Sequence, residues 1–396
     1  MKSYKLHVPE GFKDTYGNEM LIKKEIENRV LNCFNHYGYI HIKTPTLEYI
    51  DLYSDNGLQK PDLYNLINRQ GEVLSLCNDM TRSIARFVGS NLDDSKGIKR
   101  YSYIADTFRY PRLYQGKNHQ FLQAGVELIG KSNEYCDSEA IYLAYQALKA
   151  CGVSKFTIHL GSSKFLNLLL DDFKVDSNTK KIISETIENK DYVTLRSILN
   201  NNLDSNKAEF IIDLMLKGGR LRYLDSLMDK LKGYKALEEL KYLKNLYEIL
   251  NELDVKDILF DFSIYAYAGY YTGILFQIYT ENVKKSVITG GRADNLIKQF
   301  GKDLPDIGFG IDLDSLTDYV IENNLINVSK EKYLSLSDKE SFIYSMKNNE
   351  EFRNKGIVVG DSHLDNIDDA KEYAKLNGYT KIIWYKNNKY EIVEVK

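Results

Sequence analysis

The chain is predicted to adopt an α+β fold, on three observations. Residues 19 to 37, EMLIKKEIENRVLNCFNHY, carry apolar residues at helical spacing, and the text from there to about residue 130 reads mainly as short strands and hairpins. Residues 164 to 253 change to a low-glycine block rich in Lys, Glu, Asn and Leu, read as a helical insertion, after which strand text resumes. The last seventy residues read as a small α/β unit of their own. The 396 residues exceed what one core usually holds, so the expected organisation is a core in two parts, 1–163 and 254–326, an insertion at 164–253 and a C-terminal domain at 327–396.

In the first helix Ile22, Ile26, Val30 and Phe34 share one face, and Gly38 ends it. YIHIKTPTLEYI alternates like a strand, but Pro45 has no ladder donor, which places this strand at an edge, a bulge or a subunit boundary. LYNLINRQGEVLSLCND reads as a hairpin turning at Gln70-Gly71, with a helix beginning near Thr81. Two strands surround FRYPRLYQGKNHQFLQAGVE, residues 108 to 127. SEAIYLAYQALKACG is a helix closed by Gly152, and FTIHLGS a strand.

Within the insertion the helical period is clearest at Leu237, Leu240, Tyr247 and Leu250. ILFDFSIYAYAGYYTGILFQIYT and SVITGGRADNL return to strand text, and GFGIDLDSLTDYVIENN runs from strand into helix. A polar junction is expected near 327 to 340. GIVVGD is then a strand, LDNIDDAKEYAKLNG a helix, and KIIWYKNNKYEIVEV a strand and hairpin turning at Asn387-Asn388.

A net charge of −3 and a pI of about 6.2 give no electrostatic case for nucleic acid as the main partner. The four cysteines are scattered without a C-x-x-C pair, which suits a reducing cytosol. The first residues lack the apolar core of a signal peptide, and no run of about 18 apolar residues exists to span a bilayer, so a cytoplasmic protein without a membrane partner is expected.

No phosphate loop, H-E-x-x-H or G-x-S-x-G is present. The six histidines show no metal-ligand spacing, so neither a metal nor another cofactor is expected. Thr289-Gly290-Gly291-Arg292-Ala293-Asp294-Asn295 lets backbone approach a ligand closely, or forms a tight turn with Asp and Asn as helix caps. In residues 108 to 127, Arg109, Arg112 and Lys117 can bind a carboxylate or phosphate. Gln123 and Glu127 fall on one side in either a helix or a strand, where Glu127 can accept from an ammonium group; a solvated basic loop followed by a strand explains the same letters. Tyr270-Tyr271-Thr272-Gly273 either lines an aromatic pocket or fills a sheet in a chain that holds 31 tyrosines.

In order, PEGFKD, KTPTLE, NDMT, FR…QGKNHQFLQAGVELIG, YYTG, TGGRADNL and GFGIDLDSL resemble histidyl-tRNA synthetase, a class II aminoacyl-tRNA synthetase, across about residues 8 to 316. The resemblance implies a class II synthetase-like antiparallel six-stranded sheet flanked by helices, with a helical insertion before YYTG and a small C-terminal α/β domain. Positions that in this family contact the ammonium and imidazole of histidine are present as Asp79, Thr81, Gln123, Glu127, Tyr270 and Tyr271, with Arg109 kept beside them. Gly290 and Gly291 stand as pocket backbone.

The departures fall on the nucleotide side. The arginine-containing R-G-x-D before YYTG reads Ala266-Tyr267-Ala268-Gly269, the motif 3 arginine is Ser315, a motif 2 glutamate is Pro111, and the arginine and proline before Asp79 are Cys77 and Asn78. Adenylate formation needs fixed positive charge where the phosphates develop negative charge, and two of those arginines are gone. That combination resembles the regulatory subunits of ATP phosphoribosyltransferase. It implies no catalysis by the chain alone, partnership with the short catalytic subunit in the first step of histidine biosynthesis, a self-dimer through the synthetase-like core inside a larger hetero-oligomer, and histidine as effector. The nearly neutral C-terminal module makes tRNA an unexpected partner. A divergent histidyl-tRNA synthetase and a synthetase-like histidine- or tRNA-binding module are the alternatives.

Overall fold

A computed structural model describes residues 4–53, 63–91, 97–110, 118–264, 270–281, 283, 285–328 and 331–395. The chain divides into two compact units, Met1–Ile326 and Asn327–Lys396.

The first unit runs α1 (Gly17–His36), β1 (Ile40–His41), β2 (Leu47–Tyr49), β3 (Asn65–Ile67), β4 (Val73–Leu76), α2 (Met80–Asn91), β5 (Lys99–Phe108), β6 (Gln120–Ile129), α3 (Glu134–Ala150) and β7 (Phe156–Ser162). Helices α4 (Ser163–Asp172), α5 (Ser177–Glu188), α6 (Tyr192–Asn202), α7 (Ser205–Leu216), α8 (Leu221–Lys230) and α9 (Ala236–Glu252) follow. β8 (Ile258–Phe260), β9 (Ile274–Thr280), β10 (Ile288–Arg292), β11 (Asp306–Asp312) and α10 (Leu313–Glu322) complete it.

Its main sheet has the order β1-β5-β6-β11-β10-β9-β7-β8. The inner six strands pair antiparallel throughout. β1 and β8 are added in parallel at the two edges. The expected antiparallel core is therefore present, extended by one short strand on each side. The strand expected over 39–50 is instead two: β1 on the edge of the main sheet, and β2 in a separate three-stranded sheet with β4 and β3. Pro45 sits at the break, where a missing N–H costs no ladder bond.

One face of the sheet is apolar and covered by helices. Ile22, Ile26, Val30 and Phe34 of α1 are fully buried, and Phe34 meets Phe309 of β11 edge to face at 5.8 Å. The predicted face of α1 is thus the observed one, and the hairpin turn at Gly71 is present with φ +83°. α3 starts earlier than its apolar pattern suggests, because the Asn133 side chain accepts from the Cys136 N–H and caps it at Glu134.

The insertion leaves the sheet at the end of β7 and returns as β8 beside β7, so ninety residues are accommodated without disturbing the inner strands. Three of its helices are started by aspartates, Asp176, Asp191 and Asp204, whose carboxylates accept from backbone N–H groups two or three residues on. α9 buries Leu240, Leu243, Leu246 and Leu250; Leu237 and Tyr247 from the expected stripe are half-buried.

The second unit holds β12 (Lys332–Ser337), α11 (Phe342–Asn354), β13 (Val358–Asp361), α12 (Ile367–Leu376), β14 (Lys381–Lys386) and β15 (Lys389–Glu394). Its sheet has the order β13-β12-β14-β15. β12 occupies a central position, within residues read from sequence as a polar junction. Ser335 in its middle is buried and accepts from the Asn349 side chain at 2.9 Å, so a polar letter marks a hydrogen-bonded core position rather than a loop. The hairpin turn is where the sequence put it, with Asn387 and Asn388 at φ +53° and +55°.

Candidate functional site

The second face of the main sheet carries polar side chains that lie over glycines at its centre. Strand register puts Tyr103 and Ala105 of β5, Gln123, Gly125 and Glu127 of β6, Asp306, Gly308 and Gly310 of β11, and Gly291 of β10 on this face. α2 and the turn at Ile297–Phe300 pack over one end of it through Met80, Ile84, Val88, Leu296 and Ile297. Glycines clear the space between: a methyl added at Gly308 would collide with the Glu127 carboxyl and the Val126 carbonyl, and one at Gly310 with the Gln123 amide. Gly291 does the same for Tyr271, whose ring carbon would lie 2.8 Å from an added methyl. Gly290 points the other way, toward Phe276 and the helix-covered core, so only one of the two adjacent glycines faces the pocket.

Three segments far apart in sequence meet above this floor. Asp79, just before α2, accepts from the Tyr270 hydroxyl at 2.9 Å and from the Thr81 N–H at 3.0 Å. Tyr270 and Tyr271 stack obliquely with centroids 4.9 Å apart, and the Arg82 guanidinium lies 5.8 Å from the Tyr270 ring centre. Tyr103 is buried and donates to the Gln123 carbonyl oxygen at 3.3 Å. Asp79, Thr81, Gln123, Glu127, Tyr270 and Tyr271 are therefore brought to one place.

Arg109 stands at the exposed end of β5. Its Nε donates to the Asn78 carbonyl at 3.1 Å and its guanidinium lies 5.2 Å from the Phe121 ring centre. It borders the group closely enough to oppose the upward shift of Tyr271, which burial dominates. Arg112, Lys117, Pro111 and Leu113 of the same stretch, and Ala266 to Gly269, lie outside the described residues.

The electrostatics are those of a buried acid. Glu127 is 2% exposed, and burial, then the neighbouring Asp306 carboxyl, push its pKa well up against a hydrogen bond from Thr81. Asp306, 1% exposed, is lifted by burial to about 7, against the hydrogen bond it receives from Glu127 and the field of Arg292. Burial thus makes both carboxyls weaker acids than solvated ones. The sequence reading missed Asp306, although D-I-G-F-G-I-D places it in phase with Gly308 and Gly310.

Ser315, where the synthetase resemblance leads one to expect the motif 3 arginine, lies in the first turn of α10. Its hydroxyl donates to Asp312 Oδ2 at 2.7 Å and its N–H to Oδ1 at 2.9 Å, so Asp312 and Ser315 together cap α10. Lys285 pairs with the same carboxylate at 2.8 Å.

Arg292 of TGGRADNL does not face the pocket. It is buried and donates through Nε to Asp137 Oδ1 of α3 at 2.9 Å, through Nη2 to the same oxygen, and through Nη1 to Asp294 at 2.9 Å. Tyr242 of α9 completes the Asp137 shell at 2.6 Å. Among the described residues no group of His, Cys, Asp and Glu is arranged to hold a metal ion.

The family model described as histidyl-tRNA synthetase matches residues 11–316. An ATP phosphoribosyltransferase regulatory subunit of Clostridium kluyveri is 31% identical, over 94% of this chain and 97% of that one. The chain belongs to the histidyl-tRNA synthetase-like family of ATP phosphoribosyltransferase regulatory subunits. A solved structure described as an ATP phosphoribosyltransferase regulatory subunit/histidyl-tRNA synthetase from Bacillus halodurans superposes with a TM-score of 0.84 at 27% identity, covering 97% of this chain and 99% of that one. A histidyl-tRNA synthetase from a Nostoc species, at 18% identity and a TM-score of 0.81 over 98% and 97% of the two chains, shares the fold. Membership explains why motif positions separated by up to about two hundred residues converge on one sheet face.

Proposed function

We propose that this chain is a non-catalytic regulatory subunit, which works with a short-form catalytic subunit of ATP phosphoribosyltransferase in the first step of histidine biosynthesis and carries its feedback response to histidine. The observation that carries the reading is the contrast within one site. The acidic, tyrosine-lined half is assembled, with Glu127 and Tyr270 buried and Asp79 partly buried, whereas the motif 3 position on the nucleotide side holds Ser315, spent on a helix cap. In this reading Asp79 and Glu127 hold the ammonium group of histidine, Gln123 its carboxylate or the neighbouring atoms, and Tyr270 and Tyr271 the imidazole side, with Arg109 as a carboxylate partner at the rim. The response is a coupling free energy between this pocket and the partner's site, typically about 1 to 3 kcal/mol and reciprocal.

The self-dimer is supported by apolar residues left open on the small sheet and on β1: Ile67 is 76% exposed, Ile40 65% and Tyr49 58%. Placement in the cytoplasm fits a biosynthetic subunit, and no helix among the described residues is long and apolar enough to cross a membrane.

The test is co-purification with a short-form catalytic subunit, followed by phosphoribosyl transfer assayed with and without this chain and with added histidine. Restored activity that histidine inhibits is expected. No rescue of the short form removes the reading, and histidine-dependent ATP–pyrophosphate exchange at a synthetase-like rate replaces it with that of a divergent synthetase.

A further inference from the structure

Residues 4 to 8, Tyr-Lys-Leu-His-Val, alternate apolar and polar side chains as a half-buried strand does, yet they are not buried. Tyr4 is 71% exposed, Leu6 96% and Val8 50%. Among the described residues the backbone of this arm makes one hydrogen bond, a local one from the His7 N–H to the Tyr4 carbonyl at 3.0 Å. Its root, by contrast, is fixed. The His119 N–H donates to the Gly11 carbonyl at 2.8 Å, and the Phe12 ring meets Tyr64 edge to face with centroids 6.0 Å apart. Tyr64 is the residue before β3, so the arm leaves the body beside the three-stranded sheet.

That sheet has one covered face and one open face. Glu48 of β2 and Ser75 of β4, paired in register, are buried on the side of α2, where Arg86 donates to the Glu48 carboxylate at 2.8 Å. The opposite face carries Leu47 and Tyr49 of β2, Leu74 and Leu76 of β4 and Leu66 of β3. None of these five is buried: Leu47, Tyr49 and Leu66 are exposed, and Leu74 and Leu76 half-buried. Within one chain, then, the apolar row of the arm and the apolar face of the sheet do not cover each other. Each is a surface that the other fits. Charge agrees, because the polar side of the arm carries Lys5 and His7, while the exposed Asp51 and Glu72 lie just past β2 and just before β4.

We infer that residues 4–8 are an exchange arm, which docks Tyr4, Leu6 and Val8 on the open face of the small sheet in a second copy of this chain. The inference rests on the self-dimer reading above and adds to it the element that each protomer lends the other. Exchange about a two-fold axis is reciprocal, so one dimer covers both arms and both faces. An extended arm of five residues is about 16 Å long and three strands span about 10 Å between the outer axes, so one arm crosses the whole face. Anchorage at Gly11 and Phe12 limits the entropy cost of docking to the few residues beyond it.

The experiment combines light scattering with cysteine cross-linking, both on the full chain. Leu6→Asp/Val8→Asp is expected to raise the dimer Kd by about tenfold or more, since one buried aliphatic side chain is worth about that factor, with circular dichroism unchanged. For cross-linking, isotopically heavy Leu6→Cys chain is mixed with light Leu66→Cys chain and oxidised, and each variant mixed with wild type controls for the half-buried Cys33. A disulfide-linked peptide pair joining one heavy and one light chain is expected. Closure of Leu6→Cys/Leu66→Cys within a single chain, at a dilution that dissociates the dimer, overturns the exchange, since the arm then covers its own sheet. An unchanged Kd in Leu6→Asp/Val8→Asp, without a cross-link between heavy and light chains, overturns the arm and leaves the self-dimer standing. A wild type that is monomeric at every concentration overturns both.

Discussion

Replacing Arg292 by methionine should cost the first unit about 3 to 5 kcal/mol at neutral pH, the usual consequence of leaving a buried carboxylate without its cation. The partner left behind is Asp137, fully buried, whose remaining hydrogen bond comes from Tyr242. Burial already raises the Asp137 pKa, even with Arg292 pulling it down, so removing the guanidinium raises it further. A carboxyl whose folded pKa lies above its unfolded value destabilises the native state progressively as pH rises from the unfolded pKa to the folded one. The deficit of Arg292→Met should therefore be small near pH 5 and largest at pH 8. Urea denaturation at the two pH values measures it, and the double variant Arg292→Met/Asp137→Asn should recover about 2 kcal/mol or more of the loss at pH 8. A deficit below about 1 kcal/mol, or one independent of pH and not relieved by the second change, refutes the assignment of this pair as a desolvated ion pair.

Asp306→Asn should stabilise the protein above pH 7 relative to wild type and leave it unchanged near pH 4. Its folded pKa of about 7, against an unfolded value of about 3.9, means that wild-type stability falls as pH rises through that window; about three units at about 1.4 kcal/mol each set an upper limit of about 4 kcal/mol. Urea midpoints at pH 4, 6 and 8 check it. Tyr270→Phe removes the donor that holds Asp79 at 2.9 Å and should weaken histidine binding about tenfold by calorimetry with little change in thermal stability. Gly308→Ala sets a methyl against backbone as well as the Glu127 carboxyl, so it should both destabilise the unit by about 1 to 3 kcal/mol and abolish histidine binding, read by denaturation and titration together. Ile67→Lys, on an exposed apolar sheet face, should halve the mass seen by light scattering.

Much of this fold was written in periodicity. The α1 stripe, the turn at Gly71 and the paired asparagines at 387 and 388 obey local rules that leave little choice of conformation. The break at Pro45 was only half legible: the proline signals an edge, but which sheet each half joins depends on partners elsewhere in the chain. β12 was lost because its buried Ser335 depends on Asn349, fourteen residues away, and no local pattern records such a pairing. At the site, the motif letters name Asp79, Glu127 and Tyr270 without saying that the first and last touch. The adjacent glycines of TGGR look equivalent as text, and strand alternation alone separates them. Asp306 lies just outside GFGIDLDSL, and the β11 register that places it on the same face is set by β6.

The glycine floor described above has a consequence for how a signal could leave the pocket. Its surface is backbone on hydrogen-bonded inner strands, so the floor is rigid and has essentially one arrangement. An element with a single arrangement cannot carry information, because a ligand shifts an equilibrium only by binding two states unequally. Whatever changes when the site fills must therefore be read from the groups around the rim, Asp79 at the head of α2 and the Tyr270–Tyr271 loop before β9, while the sheet serves as the fixed reference against which they move.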